Sequence, residues 1–156
     1  MKRWLLLFIS HAFVLAAGFA LGIYLLPILA APPAPTAAEI GAATASASYR
    51  GEFKRNLKGS DALHWGEGTV SVGPKTVALM GRIAPGPAYK LYLVPEFVET
   101  AADFKRVKAQ SLDVADVKTF DNFIVPIAPG TPLDRYKAVV IWCESFSQFI
   151  TAAAYR

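Results

Sequence analysis

Hydrophobic and polar residues follow two different patterns in this chain, and these patterns separate an N-terminal helix from a β-rich remainder. The segment Trp4–Ala30 has no Asp, Glu, Lys or Arg and exceeds the roughly 20 apolar residues that cross a bilayer core. From Tyr49 onward, short apolar runs are separated by Gly and Pro, which is typical of strands and turns. The pattern predicts one membrane-spanning helix followed by one folded domain.

The short apolar runs predict a series of strands. Gly68–Val72 alternates between apolar and polar residues, and Thr76–Ile83 follows it directly after Gly73-Pro74-Lys75, so the two segments predict a hairpin. Tyr136–Trp142 is apolar on both faces, which indicates a central strand that is covered on both sides. Further strands are predicted at Tyr89–Val94, at Asn122–Ile127, where Pro126 indicates a strand end or a sheet edge, and within Phe146–Arg156.

One short helix interrupts the predicted strands. Thr100 and Asp103 have the spacing of an N-terminal cap, and Phe104 and Val107 would share one face of the helix that follows. No alternation of strands and long helices is present that would indicate a parallel sheet. The predicted fold class is therefore mostly β, a single β-sandwich or small barrel-like domain after one N-terminal transmembrane helix.

The boundaries of the N-terminal helix predict how the chain is divided. Residues 1–31 are interpreted as an uncleaved signal-anchor, because a cleaved signal peptide has an apolar core of only about 7–15 residues. Cleavage remains the alternative interpretation. Residues 32–48 are rich in Ala and Pro and predict a linker, and residues 49–156 predict the exported β-rich domain.

The charges that flank the helix predict its orientation. Lys2 and Arg3 precede the span and no basic residue follows it until Arg50, so the N-terminus is expected in the cytoplasm and the domain outside it. The predicted location is the cell membrane, with a single span and a domain that is periplasmic in a bacterium. Gly18 and Gly22 form a G-x-x-x-G pair, which raises the hypothesis of a homodimer through the span.

Composition narrows the classes of function. The chain has 16 basic and 12 acidic residues, and two of its four net positive charges lie at Lys2 and Arg3, so no nucleic-acid partner is expected. The common hydrolase, phosphate-loop and zinc-protease motifs are absent, so an enzyme acting by itself is not favoured. His64 is the only histidine outside the span, which argues against a multi-histidine metal site.

Cys143 is the only cysteine in the chain and the one candidate for redox chemistry. An unpaired cysteine in an exported protein is notable, because that compartment is oxidising. Its neighbours Trp142 and Glu144 do not stabilise a thiolate, and alternation places Cys143 on one strand face with Val139 and Ile141. From the residues alone, a buried and unreactive thiol is the simpler interpretation.

The C-terminal segment resembles the DM-thirteen domain, the Skeletor-type "electron transfer" domain that accompanies DOMON and b-type cytochrome domains. The resemblance extends over residues 49–156 and rests first on Trp142-Cys143 followed by Phe146-Ser147. Weaker motifs occur upstream in the family's order: Gly51–Phe53, His64–Val72, Gly86–Leu93 and Phe120–Pro126.

The resemblance implies a β-rich domain whose cysteine has a redox role, either bare or as a ligand to a prosthetic group such as haem. Under this hypothesis Cys143 is the redox or ligating group, His64 lies near it, Trp142 flanks the site, and a redox partner protein is expected. The alternative is a non-catalytic extracytoplasmic module that binds a protein or ligand. In that case Cys143 is structural and Trp142 packs on the opposite sheet.

Overall fold

The computed structural model describes residues 1–156 and shows two four-stranded antiparallel sheets that form a sandwich, which confirms the predicted fold class. Sheet A has the strand order β1-β2-β3-β6, and sheet B has the order β5-β4-β7-β8. The strands are β1 (Tyr49–Phe53), β2 (Gly66–Val72), β3 (Thr76–Ile83), β4 (Tyr89–Val94), β5 (Leu112–Val117), β6 (Asp121–Pro126), β7 (Ala138–Cys143) and β8 (Gln148–Ala154). The helices are α1 (Lys2–Ala30), α2 (Ala37–Thr44) and α3 (Ala101–Val107), with 3₁₀ turns at Lys108–Gln110 and Leu133–Arg135.

A hairpin, an edge strand and a helix cap lie where the sequence predicted them. Strands β2 and β3 make the expected hairpin, in which the Gly73 N–H donates to the Thr76 carbonyl at 2.9 Å. Strand β6 lies at the edge of sheet A and ends at Pro126, where a missing N–H costs no ladder bond. Thr100 caps α3 by accepting the Asp103 N–H at 3.1 Å.

Strand β7 lies inside sheet B between β4 and β8, and every one of its residues is buried. Val139, Ile141 and Cys143 face the core between the sheets, as alternation predicted. Trp142 points the other way and packs on Phe104 of α3, with ring centroids 4.8 Å apart. The expectation that Trp142 packs on the opposite sheet is therefore wrong, because the sandwich core takes the face that carries Cys143.

Part of the segment predicted as a linker is docked on the sandwich. Helix α2 begins with a capping box between Thr36 and Glu39 and buries Ile40, which is 2% exposed. Asn122 of β6 donates to the Pro35 carbonyl at 3.0 Å before the helix, and Thr76 of β3 donates to the Ala43 carbonyl at 3.1 Å near its end. One apolar residue in an Ala-rich segment is enough to anchor a short helix once a sheet face is available.

The sandwich has two ends that matter for the site. We call one end of the sandwich the thiol end, and it carries the strand ends Ile83, Val117, Tyr89, Cys143 and Gln148. The opposite end carries the strand ends Val72, Thr76, Val94, Ala138 and Ala154. Helix α1 is exposed along most of its length, and Ile23 and Pro27 in its second half are partly buried against the thiol end. Its length and composition meet the requirements of a membrane span, and signal sequences share these features.

Candidate functional site

Cys143 ends strand β7, so its sulfur lies at the edge of the core rather than in its middle. The residue pairs with Tyr89 of β4 and is 2% exposed. Its Sγ–H donates to the carbonyl oxygen of Pro87 at 3.0 Å. The loop Pro85–Ala88, which leads into β4, therefore covers the thiol from outside the sheet.

The surroundings of Cys143 favour a neutral thiol. Burial raises the pKa of the Cys143 thiol above its ordinary value, and the charge of Glu144 acts in the same direction. The backbone N–H groups of Phe146 and Ser145 oppose this shift but do not cancel it. The thiol is a hydrogen-bond donor to Pro87, which also requires the protonated form.

Glu144 follows Cys143 but belongs to a different group of side chains. Its carboxylate accepts from Lys108 Nζ at 2.8 Å through both oxygens and also from the Tyr92 hydroxyl. Burial alone would raise the pKa of Glu144, but these hydrogen bonds outweigh it and hold the pKa below its ordinary value. The acid next to the thiol is therefore satisfied on the outer side of sheet B.

His64 lies in the loop before β2 and is held by the carboxylate of Asp61, which was not predicted from the sequence. Asp61 accepts from His64 Nδ1 at 2.8 Å, and its Oδ1 also accepts the backbone N–H groups of Leu63 and His64 at 2.7 and 2.9 Å. The hydrogen bond to His64 lowers the pKa of Asp61. A carboxylate on Nδ1 favours the tautomer whose Nε2 is a free acceptor. The Asp-x-x-His spacing at 61–64 was the available signal.

The cysteine and the histidine line one cavity of about 320 Å³ at the thiol end. The two residues are far apart in sequence, and the fold brings them together because β2 and β7 both have an end there. Most of the wall is apolar, and part of it comes from α1. The lining residues are Ala20, Ile23, Tyr24, Leu63, His64, Pro85, Gly86, Pro87, Tyr89, Cys143, Phe146, Gln148 and Ile150.

Tyr89 forms the wall of the cavity beside the thiol. Its ring packs edge-on against Phe120 with centroids 6.0 Å apart, and its hydroxyl lies against Gly86. A Cβ atom at Gly86 would clash with that hydroxyl, so glycine is required for this close contact. Burial, and secondly the proximity of Cys143, raises the pKa of Tyr89. The Tyr89 hydroxyl and the Cys143 thiol are therefore both protonated.

A haem is the prosthetic group that the family resemblance implied, and the cavity does not fit one. The lining contains no Lys or Arg side chain that could pair with haem propionates. The volume lies near the lower limit of ligand pockets, which is about 300 Å³. The thiol is neutral and donates to Pro87, whereas a ligating cysteine must be a thiolate. The cavity is therefore better suited to a bare thiol than to a thiol that ligates a haem.

Comparison with known proteins gives a family but no close relative. A family model described as electron transfer DM13 matches residues 56–155, which confirms the resemblance seen in the sequence and covers nearly the whole sandwich. No curated protein matches the chain, and no solved structure matches it either.

Proposed function

This chain belongs to the electron transfer DM13 family, and we propose on that premise that it is a redox domain held at the outer face of a membrane. Cys143 is the group that is oxidised and reduced. Helix α1 is the uncleaved anchor, and Lys2 and Arg3 keep its N-terminus in the cytoplasm.

The observation that supports this proposal is the shared cavity of Cys143 and His64. A neutral thiol that loses an electron must also lose its proton, since an oxidised thiol is strongly acidic. His64 is the only imidazole outside α1, and the contact between Asp61 and Nδ1 leaves Nε2 free to take that proton. Asp61 then stabilises the imidazolium that forms.

The proposed step is a one-electron oxidation with proton transfer. The Sγ–H bond of Cys143 breaks, the electron goes to an oxidised metal centre in a partner protein, and the proton goes to Nε2 of His64. The products are a thiyl radical, an imidazolium and the metal centre reduced by one electron. The reverse step restores the thiol and the neutral imidazole.

A titration with a one-electron metal-complex oxidant tests the proposal on the detergent-solubilised full chain. We expect the wild-type protein to reduce one equivalent of oxidant more than Cys143→Ser, because the Trp and Tyr side chains consume the same amount in both proteins. His64→Gln should reduce the same equivalent at least about tenfold more slowly, because the base is lost. Equal consumption by wild type and Cys143→Ser would refute a redox role of this thiol.

A second candidate function is a binding module with a structural cysteine. It is favoured by the 2% exposure of Cys143 and by its hydrogen bond to the Pro87 carbonyl of the covering loop. This function predicts that Cys143→Ala lowers the free energy of unfolding by about 1–3 kcal/mol and leaves partner binding intact. Loss of the chain's function in a Cys143→Ala protein that remains folded would exclude this candidate.

A further inference from the structure

We propose that the thiol end of the sandwich rests on the outer surface of the bilayer, with Leu63 and Phe146 immersed at the boundary between headgroups and acyl chains. The inference rests on the membrane anchor of the proposed function but not on the redox chemistry of Cys143. Its consequence is that the Cys143 cavity opens toward lipid rather than toward bulk water.

The tether between α1 and the sandwich is short. The hydrogen bond from Asn122 to the Pro35 carbonyl fixes the chain to the sandwich five residues after α1 ends at Ala30. Five fully extended residues span at most about 17 Å. A linker of 17 free residues would let the domain move away from the membrane, whereas this short tether keeps one part of the sandwich near it.

The part of the sandwich that this tether holds near the membrane is the thiol end. Asn122 lies at the start of β6, where Asp121 pairs with Arg82 near the thiol end. From Pro35 the chain runs along the outer face of sheet A through α2 and reaches the opposite end, where the Ser48 N–H donates to the Val72 carbonyl at 2.9 Å. The chain thus enters the domain at the thiol end, and this conclusion does not depend on how α1 packs.

The position of the cavity along α1 matches the outer boundary of the bilayer. Trp4 and Tyr24 are twenty residues apart, and a helix rises about 1.5 Å per residue, so they are separated by about 30 Å, the thickness of a bilayer core. Aromatic residues with a polar edge favour the two interfaces, which places Tyr24 at the outer boundary. Tyr24 lines the Cys143 cavity together with Leu63 and Phe146, so these two side chains lie at the same level.

The side chains of Leu63 and Phe146 are both exposed at this level. Leu63 is 58% and Phe146 is 56% exposed, and both lie at the rim of one cavity rather than at unrelated places. Apolar side chains that surround a cavity beside a membrane span are stabilised by the interface, because it removes their surface from water. The bilayer is therefore the partner that this rim fits.

Spin labels at single cysteines test the docking in the full chain reconstituted into phosphatidylcholine vesicles. Cys143→Ala removes the native thiol, and Leu63→Cys or Phe146→Cys then carries the label. Two exposed positions serve as controls: Phe97→Cys, after the end of β4 that lies away from the thiol, and Lys75→Cys, in the β2–β3 turn. Relaxation by oxygen reports lipid exposure, and relaxation by a nickel chelate reports water exposure.

We expect the oxygen-to-nickel ratio at positions 63 and 146 to be several-fold higher than at 97 and 75. Equal ratios at all four positions would overturn the docking. Carbonate washing of the same vesicles separates this failure from failure of the anchor. Protein that stays in the membrane with equal ratios leaves the anchor intact, whereas protein that is released overturns both the anchor and the docking.

Discussion

The two faces of sheet B at the end of β7 differ in how their space is filled. On the outer face, Trp142 packs on Phe104, and Lys108 lies 5.5 Å from the Trp142 ring while it pairs with Glu144. On the inner face, the next residue Cys143 lies beside a cavity of about 320 Å³. Adjacent residues on one strand thus separate a filled, ion-paired cluster from an apolar cavity. The difference indicates that the outer face stabilises the strand end whose inner face carries the candidate site.

The largest expected effect on stability comes from truncating Trp142 on the outer face of sheet B. Trp142→Ala should lower the free energy of unfolding by about 3–5 kcal/mol, because it removes a fully buried ring from α3. Trp142→Phe is the matched variant and should cost less than Trp142→Ala, because the Phe ring keeps most of the buried aromatic volume. The indole N–H that it removes has no hydrogen-bond partner. Urea unfolding measures both values, and equal losses would show that the ring volume is not what stabilises this face.

The next effect concerns the inner face of sheet B and the protonation of the Cys143 thiol. Because burial raises the pKa of Cys143, the thiol stays neutral at pH 8, and a small maleimide should react at least about tenfold more slowly than with free cysteine. The rate should continue to rise with pH above the ordinary range of a thiol. A reaction as fast as that of free cysteine at pH 8 would contradict a neutral, covered sulfur.

The smallest effect comes from the ion pair between Lys108 and Glu144 on the outer face of sheet B. Glu144→Gln should lower the free energy of unfolding at pH 7 by at most about 1 kcal/mol, because Glu144 and Lys108 are each about one-third exposed and water screens the pair. The folded-state pKa of Glu144 is below its unfolded value, so the stabilisation is present above about pH 4.3 and is lost as the pH falls through the folded value. The wild-type and mutant stabilities should therefore converge once the pH lies below the folded-state pKa of Glu144. A difference that persists there would assign the effect to packing.

Local patterns predicted much of the fold and some of the site. The hairpin at Gly73–Lys75, the cap at Thr100 and the shared face of Val139, Ile141 and Cys143 all follow from short-range rules and were confirmed. These features depend on the period of a strand or on the chemistry of one turn. Neighbouring residues are enough to specify them.

Features that depend on strand order were not predictable in this way. Alternation shows that Trp142 and Cys143 face opposite sides, but it does not show which side meets the second sheet and which side meets α3. The docking of α2 required a sheet face built from β3 and β6. The approach of His64 to Cys143 required the loop before β2 to lie near the end of β7.

The sequence by itself determined the apolar N-terminal helix, the β-rich class, the family motifs and the single thiol. Tertiary structure alone decided that Cys143 and His64 line one cavity and that the chain enters the sandwich at the same end. The physical reason is that alternation and capping act over a few residues. A cavity and a point of entry depend instead on contacts between segments that are tens of residues apart.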